Sequence, residues 1–382
     1  MSDAPSFAWL PTGAAGLRAM LAALGGARRS AGVEGYIIGD DATGRAFRDA
    51  LAAAAARGVR TRLLVDAWGS LELPDSFWAP ARAAGVEVRW VNPLSLRRGL
   101  HRDHRKLVVV DDEVALLGGF NFAASYDGDG VRTGWRDLGL ELRGPAVAEL
   151  GRAFHAQFGL ASYQHRRLAR FRRHFHPQRH VLPGATLYLL SPGRGRNPLQ
   201  ADLVADLGAA REIQLVTAYL LPPRPLRRAL TGAARRGARV RLILPGRSDV
   251  PFARLAARAL YARLMRAGLE VYEYEPAVLH SKLYVTDRAA YAGSANLDIR
   301  SLNINYELAV RLDDPRAIAG ARELFADHLA RSRRIDPATW GARGAGEKLR
   351  ERLAHWFLAR LDPLLAAQQR RWMLRDLDTA VR

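Results

Sequence analysis

The chain contains no cysteine, which excludes disulfides, thiolate metal ligands and cysteine nucleophiles. It is almost without lysine: of 58 basic side chains only Lys106, Lys282 and Lys348 are lysines, and the rest are arginine. No window reaches the roughly 18 to 20 apolar residues of a spanning helix. Met1 to Arg18, with Asp3 early and no basic leader, does not read as a signal peptide. Aromatic residues make up 8%, and no basic stripe interleaved with aromatics marks a nucleic-acid surface. The protein is therefore expected to be soluble, or peripheral where it meets a membrane.

What is present is a strong positive charge, +20 over 382 residues with a pI near 11.1. Such a field favours anionic partners: nucleic acid, an anionic membrane surface or phosphorylated substrates. Arginine enrichment of a solvated surface is the competing explanation. Hydrophobic content of 49% is ordinary for a globular chain, and the length suggests two or three domains.

The chain repeats itself. An alanine-rich helical run ends at Arg57-Gly58-Val59 and leads into Arg62-Leu63-Leu64-Val65-Asp66. A second ends at Arg236-Gly237-Ala238 and leads into Val240-Arg241-Leu242-Ile243-Leu244. Ala84-Gly85-Val86-Glu87-Val88 is answered by Ala267-Gly268-Leu269-Glu270-Val271. Glycine after a helical run and before a β-rich run predicts helix stops, so the fold class is α/β, two duplicated domains with mixed sheets flanked by helices. A bilobal binding protein shares that layout. The expected boundaries are a first domain over 1–165, a basic Pro/Gly/Arg-rich linker or active-site loop over 166–198, a second domain over 199–335 and a basic amphipathic helical tail over 336–382. In the tail, Leu349, Leu353, Trp356, Phe357 and Leu361 recur at helical spacing between arginines. Such a helix either lies on a membrane surface or packs its stripe on its own domain, and the packed reading is favoured.

Two of the three lysines follow a histidine by two residues. His104-Arg105-Lys106 runs on to Asp111 and Gly118-Gly119-Phe120-Asn121; His280-Ser281-Lys282 runs on to Asp287 and Gly293-Ser294-Ala295-Asn296. Two residues apart on a strand, His and Lys project from one face, and a returning hairpin strand brings the Asn beside them. A lone histidine is ordinarily structural; the same unit twice points to chemistry. Imidazole can attack a phosphodiester and split one displacement into two. A second imidazole can protonate the leaving alcohol and then serve as base. Lys106, Lys282, Asn121 and Asn296 supply donors to non-bridging oxygens, with the Gly119 backbone and the Ser294 hydroxyl as further phosphate contacts. No cofactor or metal is required by this design.

These motifs resemble the paired motifs of the phospholipase D superfamily. Their surroundings resemble bacterial cardiolipin synthases of the shorter kind without transmembrane helices. The resemblance rests on Gly39-Asp40-Asp41-Ala42-Thr43-Gly44, Asp103-His104-Arg105-Lys106, Gly118-Gly119-Phe120-Asn121 and Trp135-Arg136-Asp137 in the first half. In the second half it rests on Thr217-Ala218-Tyr219-Leu220-Leu221-Pro222, Gly293-Ser294-Ala295-Asn296 and Asn305-Tyr306-Glu307, with a weaker echo at Leu361-Asp362-Pro363-Leu364-Leu365. It implies a monomer with both motifs in one cleft, His104 as nucleophile through a phosphohistidine, and His280 as general acid/base. Those two roles are interchangeable on sequence grounds. Asp137 and Glu307 match the carboxylates that orient the histidines, and Asp111 and Asp287, though part of the motif, read better as turn residues than as acids in the chemistry. The implied reaction joins a phosphatidyl group to the headgroup of phosphatidylglycerol, giving cardiolipin. The donor is a second phospholipid, phosphatidylglycerol or phosphatidylethanolamine. The implied location is the cytoplasmic side of the cell membrane, held peripherally by an anionic leaflet.

One feature departs from the pattern: six residues separate Asp111 from Gly118, but five separate Asp287 from Gly293. A shift in a paired strand would flip side chains to the other face, whereas a shorter turn would absorb it. Two other readings compete with phosphatidyl transfer. One is hydrolysis by a nuclease or phospholipase; the other is a non-catalytic anion-binding protein. Nucleic acid is the less favoured substrate.

Overall fold

The computed structural model describes residues 6–91, 101–161, 177–192 and 196–361. Arg166-Arg167, Arg172-Arg173 and Gly193-Arg194-Gly195 of the expected linker, and the tail beyond Leu361, lie outside the described residues.

The first half contributes β1 (Ser6–Leu10), β2 (Ser30–Gly35), β3 (Arg60–Asp66), β4 (Glu87–Val91), β5 (Leu107–Val110), β6 (Val114–Gly118) and β7 (Gly139–Arg143). They form one sheet in the order β1-β7-β6-β5-β2-β3-β4. The second half contributes β8 (Gln178–Leu182), β9 (Ala185–Leu190), β10 (Glu212–Val216), β11 (Leu220–Leu221), β12 (Arg239–Arg247), β13 (Glu270–Val278), β14 (Leu283–Thr286), β15 (Ala290–Gly293), β16 (Leu297–Asp298), β17 (Glu307–Leu312) and β18 (Ser332–Arg334). Its sheet runs β18-β13-β12-β10-β14-β15-β17-β9-β8, with β11 and β16 paired separately. Both sheets are mixed in the same way. The parallel trio β2, β3, β4 corresponds to β10, β12, β13, and each trio continues into an antiparallel hairpin, β5–β6 or β14–β15.

The parallel connections come from the glycine stops read in the sequence. Gly58, Gly85, Gly237 and Gly268 have φ of +86°, +98°, +92° and +99°, a left-handed conformation that costs a side-chain-bearing residue energy. Each ends a helix and turns the chain back into the next strand.

Helices flank both sheets, and the interior is shared. One buried cluster takes Leu107, Leu117, Leu140 and Phe154 from the first half and Leu187, Leu189, Leu308 and Val310 from the second. The halves therefore pack as one body around common apolar surface. Phe154, 1% exposed, belongs to this cluster, and its ring occupies the space above Gly32, where an added Cβ would come within 2.5 Å. Phe154→Ala is expected to cost about 3–5 kcal/mol, measurable as a fall in the urea midpoint.

Two expectations need amending. The 166–198 stretch is not a linker throughout: β8 and β9 lie within it, and Ala185–Leu190, buried along its length, pairs with β17. The Pro/Gly/Arg composition around it hid a short apolar strand. The tail stripe, expected to pack inward, faces outward. In helix Ala345–Trp356 the buried residues are Glu351 and Ala354, while Leu349, Leu353 and Trp356 are exposed. Arg258 and Arg343 hold Glu351 by ion pairs at 3.0 and 2.5 Å and draw the polar face against the domain.

Candidate active site

The two His-x-Lys units immediately precede β5 and β14, and the hairpins end with matching registers: Leu107 faces Leu117, and Leu283 faces Ala292. The missing residue of the second hairpin is taken up in the turn. Asp111, Asp112 and Glu113 connect Val110 to Val114, with Asp111 and Asp112 at φ +57° and +58°. On the other side Thr286 N–H bonds Ala289 O at 2.8 Å, leaving a two-residue loop. Gly119 and Ser294 consequently hold equivalent positions.

The halves then cross. His104 N–H donates to Tyr306 O at 2.9 Å and Tyr306 N–H to Arg102 O at 2.9 Å; His280 N–H donates to Arg136 O at 2.8 Å and Arg136 N–H to Val278 O at 2.8 Å. Each histidine is thereby stitched to the other half, one residue before that half's buried carboxylate. His104 Nδ1 lies 3.0 Å from Glu307 Oε2, and His280 Nδ1 lies 2.7 Å from Asp137 Oδ2. An imidazole that gives its Nδ1–H to a carboxylate keeps Nε2 as its basic nitrogen.

Both lysines are buried beside their histidines. Lys106 Nζ donates to His104 O at 2.7 Å and sits 5.0 Å from the Tyr36 ring centroid. Lys282 Nζ donates to His280 O and lies 2.8 Å from His280 Nδ1. Burial pushes Lys106 down to about 7 and lowers Lys282 as well. Burial also lowers both histidines, His104 well below the ordinary imidazole range, with Lys106, Lys282 and His280 pushing the same way. For His280, burial and Lys282 act downward while Asp137 pulls back. Burial raises Glu307 to about 7, against the pull of Lys106 and Ser294.

Asn121 is buried, accepts from Ile37 N–H at 3.2 Å and donates to Tyr126 Oη at 2.7 Å. Asn296 is buried with its Oδ1 unpartnered. Gly119 and Ser294, expected on the phosphate, stand behind the histidines instead. Ser294 Oγ donates to Glu307 Oε2 at 2.5 Å, and Gly119 N–H donates to Leu138 O at 3.2 Å. A Cβ at Gly119 would come 2.4 Å from Asp137 Oδ1, so its small size makes room for that carboxylate.

Asp111 and Asp287 do not join the histidines. Each lies beyond the far end of a four-residue strand that itself spans about 13 Å. Asp111 accepts the backbone N–H groups of Arg28, Arg29 and Ser30 at 2.7–2.8 Å, and Asp287 accepts those of Arg211 and Glu212 at 2.7 and 2.9 Å. They tie the hairpins to the starts of β2 and β10.

Several neighbours were not singled out by the sequence. The rings of Tyr36 and His104 meet edge-on at 4.9 Å, and those of Tyr126 and His280 at 5.3 Å. Tyr219 is edge-on to His280 at 6.4 Å, and its hydroxyl donates to Asp249 at 2.5 Å. Asp66 accepts Asp103 N–H at 2.7 Å. Scattered single residues of common type carry no spacing signal; Tyr219, Asp66 and Asp103 fell within the segments read above, but none of the three for this role.

The family described as "Cardiolipin synthase, PLD-like domain" matches residues 20–128 and 203–329, one stretch for each half. The chain is 34% identical to cardiolipin synthase B of Escherichia coli (strain K12) over 308 residues, covering 78% of this chain and 73% of the relative. It is 29% identical to a probable cardiolipin synthase of Bacillus subtilis (strain 168) over 334 residues, covering 85% and 66%. Among solved structures, phosphatidylserine synthase of Haemophilus influenzae Rd KW20 superposes with a TM-score of 0.71 at 14% identity, covering 94% of both chains, a likeness of fold.

Proposed function

The chain belongs to the cardiolipin synthase family of phospholipase D-like proteins, and on that premise we propose that it is a phosphatidyltransferase joining two phospholipids into cardiolipin. The observation that carries the mechanism is the pair of buried histidines, each facing a carboxylate of the opposite half. His104 Nε2 attacks the phosphorus of a donor phospholipid. The P–O bond to the headgroup alcohol breaks, and His280 gives that oxygen its proton. The phosphatidyl group is left on His104. The primary hydroxyl of a phosphatidylglycerol headgroup then loses its proton to His280 and attacks phosphorus, and the P–N bond breaks to restore His104. Two successive in-line steps need one neutral and one protonated imidazole at the start. The difference in degree supports this assignment: burial, Lys106 and Lys282 push His104 well down toward the neutral form, whereas for His280, lowered by burial and Lys282, Asp137 pulls back toward the charged form. Lys106 and Lys282 hold the non-bridging oxygens as charge redistributes. One chain supplies both motifs, which supports a monomer. The net charge of +20 supports peripheral attachment to the anionic cytoplasmic face of the membrane.

The test is lipid mass spectrometry on purified protein with phosphatidylglycerol vesicles, with and without phosphatidylethanolamine. Cardiolipin formation is the expected result. Phosphatidic acid alone would make water the acceptor, and no turnover would overturn the reading.

A pH dependence follows from Lys106. Its ammonium form is complete well below pH 7 and is lost above it. KM for an anionic phospholipid should therefore rise above neutrality, approaching about tenfold per pH unit. The depressed His104 places the acid limb of kcat/KM below the usual histidine range. Initial rates across pH 5 to 9 (roughly the span of imidazole and depressed ammonium titration) would check both limbs.

A further inference from the structure

Helix Ala345–Trp356 is mounted with its apolar side outward. Its inner side carries Glu347, Glu351 and Ala354, and it lies along helix Pro251–Arg266. Arg258 donates to Glu347 at 3.1 Å and Glu351 at 3.0 Å; Arg343 donates to Glu351 at 2.5 Å and stacks over Trp340 at 3.3 Å. His355 Nδ1 meets Ala256 O at 3.2 Å, and the Phe357 ring meets Phe252 edge-on at 5.6 Å. These contacts run antiparallel along the two helices and fix which side faces out.

On that outer side Leu349, Leu353 and Trp356 are 56%, 58% and 57% exposed. At 3.6 residues per turn they fall within about 60° of arc. Arg350 and Arg352, both exposed, flank the stripe on opposite sides. Phe357 continues the stripe, and Phe252 and Val250 extend it onto the neighbouring helix, at 41%, 43% and 42% exposure. Monomeric proteins seldom leave contiguous aromatic and aliphatic groups of this size in water. The patch also adjoins the reacting centre. Val250 follows Asp249, whose carboxylate holds Tyr219, and Tyr219 packs edge-on to His280. The first half has a counterpart beside His104. Trp68 and Leu71 are 40% and 57% exposed, and Asp66 binds both Trp68 N–H, at 2.9 Å, and Asp103 N–H, at 2.7 Å.

We propose that the outward face of helix Ala345–Trp356, with Phe357, Phe252 and Val250, is the surface that enters an anionic lipid bilayer and brings the His280 side of the site, through Asp249 and Tyr219, onto it. The inference rests on the lipid-substrate reading above. Charge complementarity commits it to lipid. Arginines at both edges of an aromatic stripe are placed to reach outward to anionic headgroups while their stems and the rings lie in the acyl boundary. A chain of net charge +20 supplies the long-range attraction that such a surface needs.

The experiment uses the full chain and vesicles of equal parts phosphatidylglycerol and phosphatidylcholine. Vesicle flotation, size-exclusion elution and turnover of monomeric short-chain phosphatidylglycerol are compared for wild type and Leu353→Glu/Trp356→Glu. Vesicle binding should weaken by at least about tenfold, with elution and short-chain turnover unchanged. Leu353→Ser serves the same purpose where two glutamates unfold the tail, with a smaller loss expected. Undiminished vesicle binding by folded variants would overturn the proposal. So would a wild-type dimer that the variants convert to monomer, since a second copy would then occupy the face. If no protein turns over the short-chain lipid, the phosphatidyltransferase reading fails while the flotation result still judges the surface.

Discussion

Replacing His104 by alanine should lower kcat for phosphatidyl transfer by about 10⁴- to 10⁶-fold, with little change in the thermal transition. The loss is large because, among the described residues beside His104, neither candidate substitutes for it: Lys106 is turned onto His104 O, and the Glu307 carboxylate is held by Ser294. His280→Ala should be comparably inactive on natural lipids, for a different reason. The alcohol would leave unprotonated, and the acceptor hydroxyl would have no base. An activated donor separates the two failures. Phosphatidyl-p-nitrophenol has a leaving group that needs no proton. The His280→Ala protein should release one equivalent of nitrophenolate and stop; the His104→Ala protein should release none. Stopped-flow absorbance would read both results directly.

The second large effect concerns the carboxylates. Glu307→Gln and Asp137→Asn should each reduce kcat by about 10²- to 10⁴-fold, the range in which a lost histidine-orienting carboxylate disturbs tautomer and stabilisation of the imidazolium. Their phenotypes should be crossed with respect to sequence. Glu307 lies in the second half but faces His104, so Glu307→Gln should suppress the nitrophenolate burst. Asp137 lies in the first half but faces His280, so Asp137→Asn should keep the burst and slow turnover. Were each carboxylate to serve the histidine of its own half, the pattern would be reversed.

That crossing was not legible in the sequence. The repeat, the helix stops at Gly58 and Gly237 and the same-face His-x-Lys units all follow from local spacing, and local spacing is what a sequence displays. Asp137 and Glu307 were recognisable as a pair by position, but their partners depend on strand-edge bonds between residues some 140 to 200 apart, such as His280 N–H to Arg136 O and His104 N–H to Tyr306 O. The short second turn was readable as a departure, and its absorption between Thr286 and Ala289 needed the register. Ser294 was read as a phosphate donor because its hydroxyl is free in sequence; in the fold it donates to Glu307. The tail shows a different limit. Periodicity located the apolar stripe of Leu349, Leu353 and Trp356 but not the side that packs, which depends on a buried Glu351 held by Arg258 and Arg343. A hydrophobic pattern says that one face differs from the other, and the ion pairs of the neighbouring helix decide which turns inward.

The most direct measurement is peptide mapping of the covalent adduct after phosphatidyl-p-nitrophenol is mixed with the Asp137→Asn and Glu307→Gln proteins and quenched in alkali. A phosphatidyl group is expected on His104 in the Asp137→Asn protein, and little or none in the Glu307→Gln protein. An adduct on His280, or the opposite pattern between the two variants, would contradict this expectation.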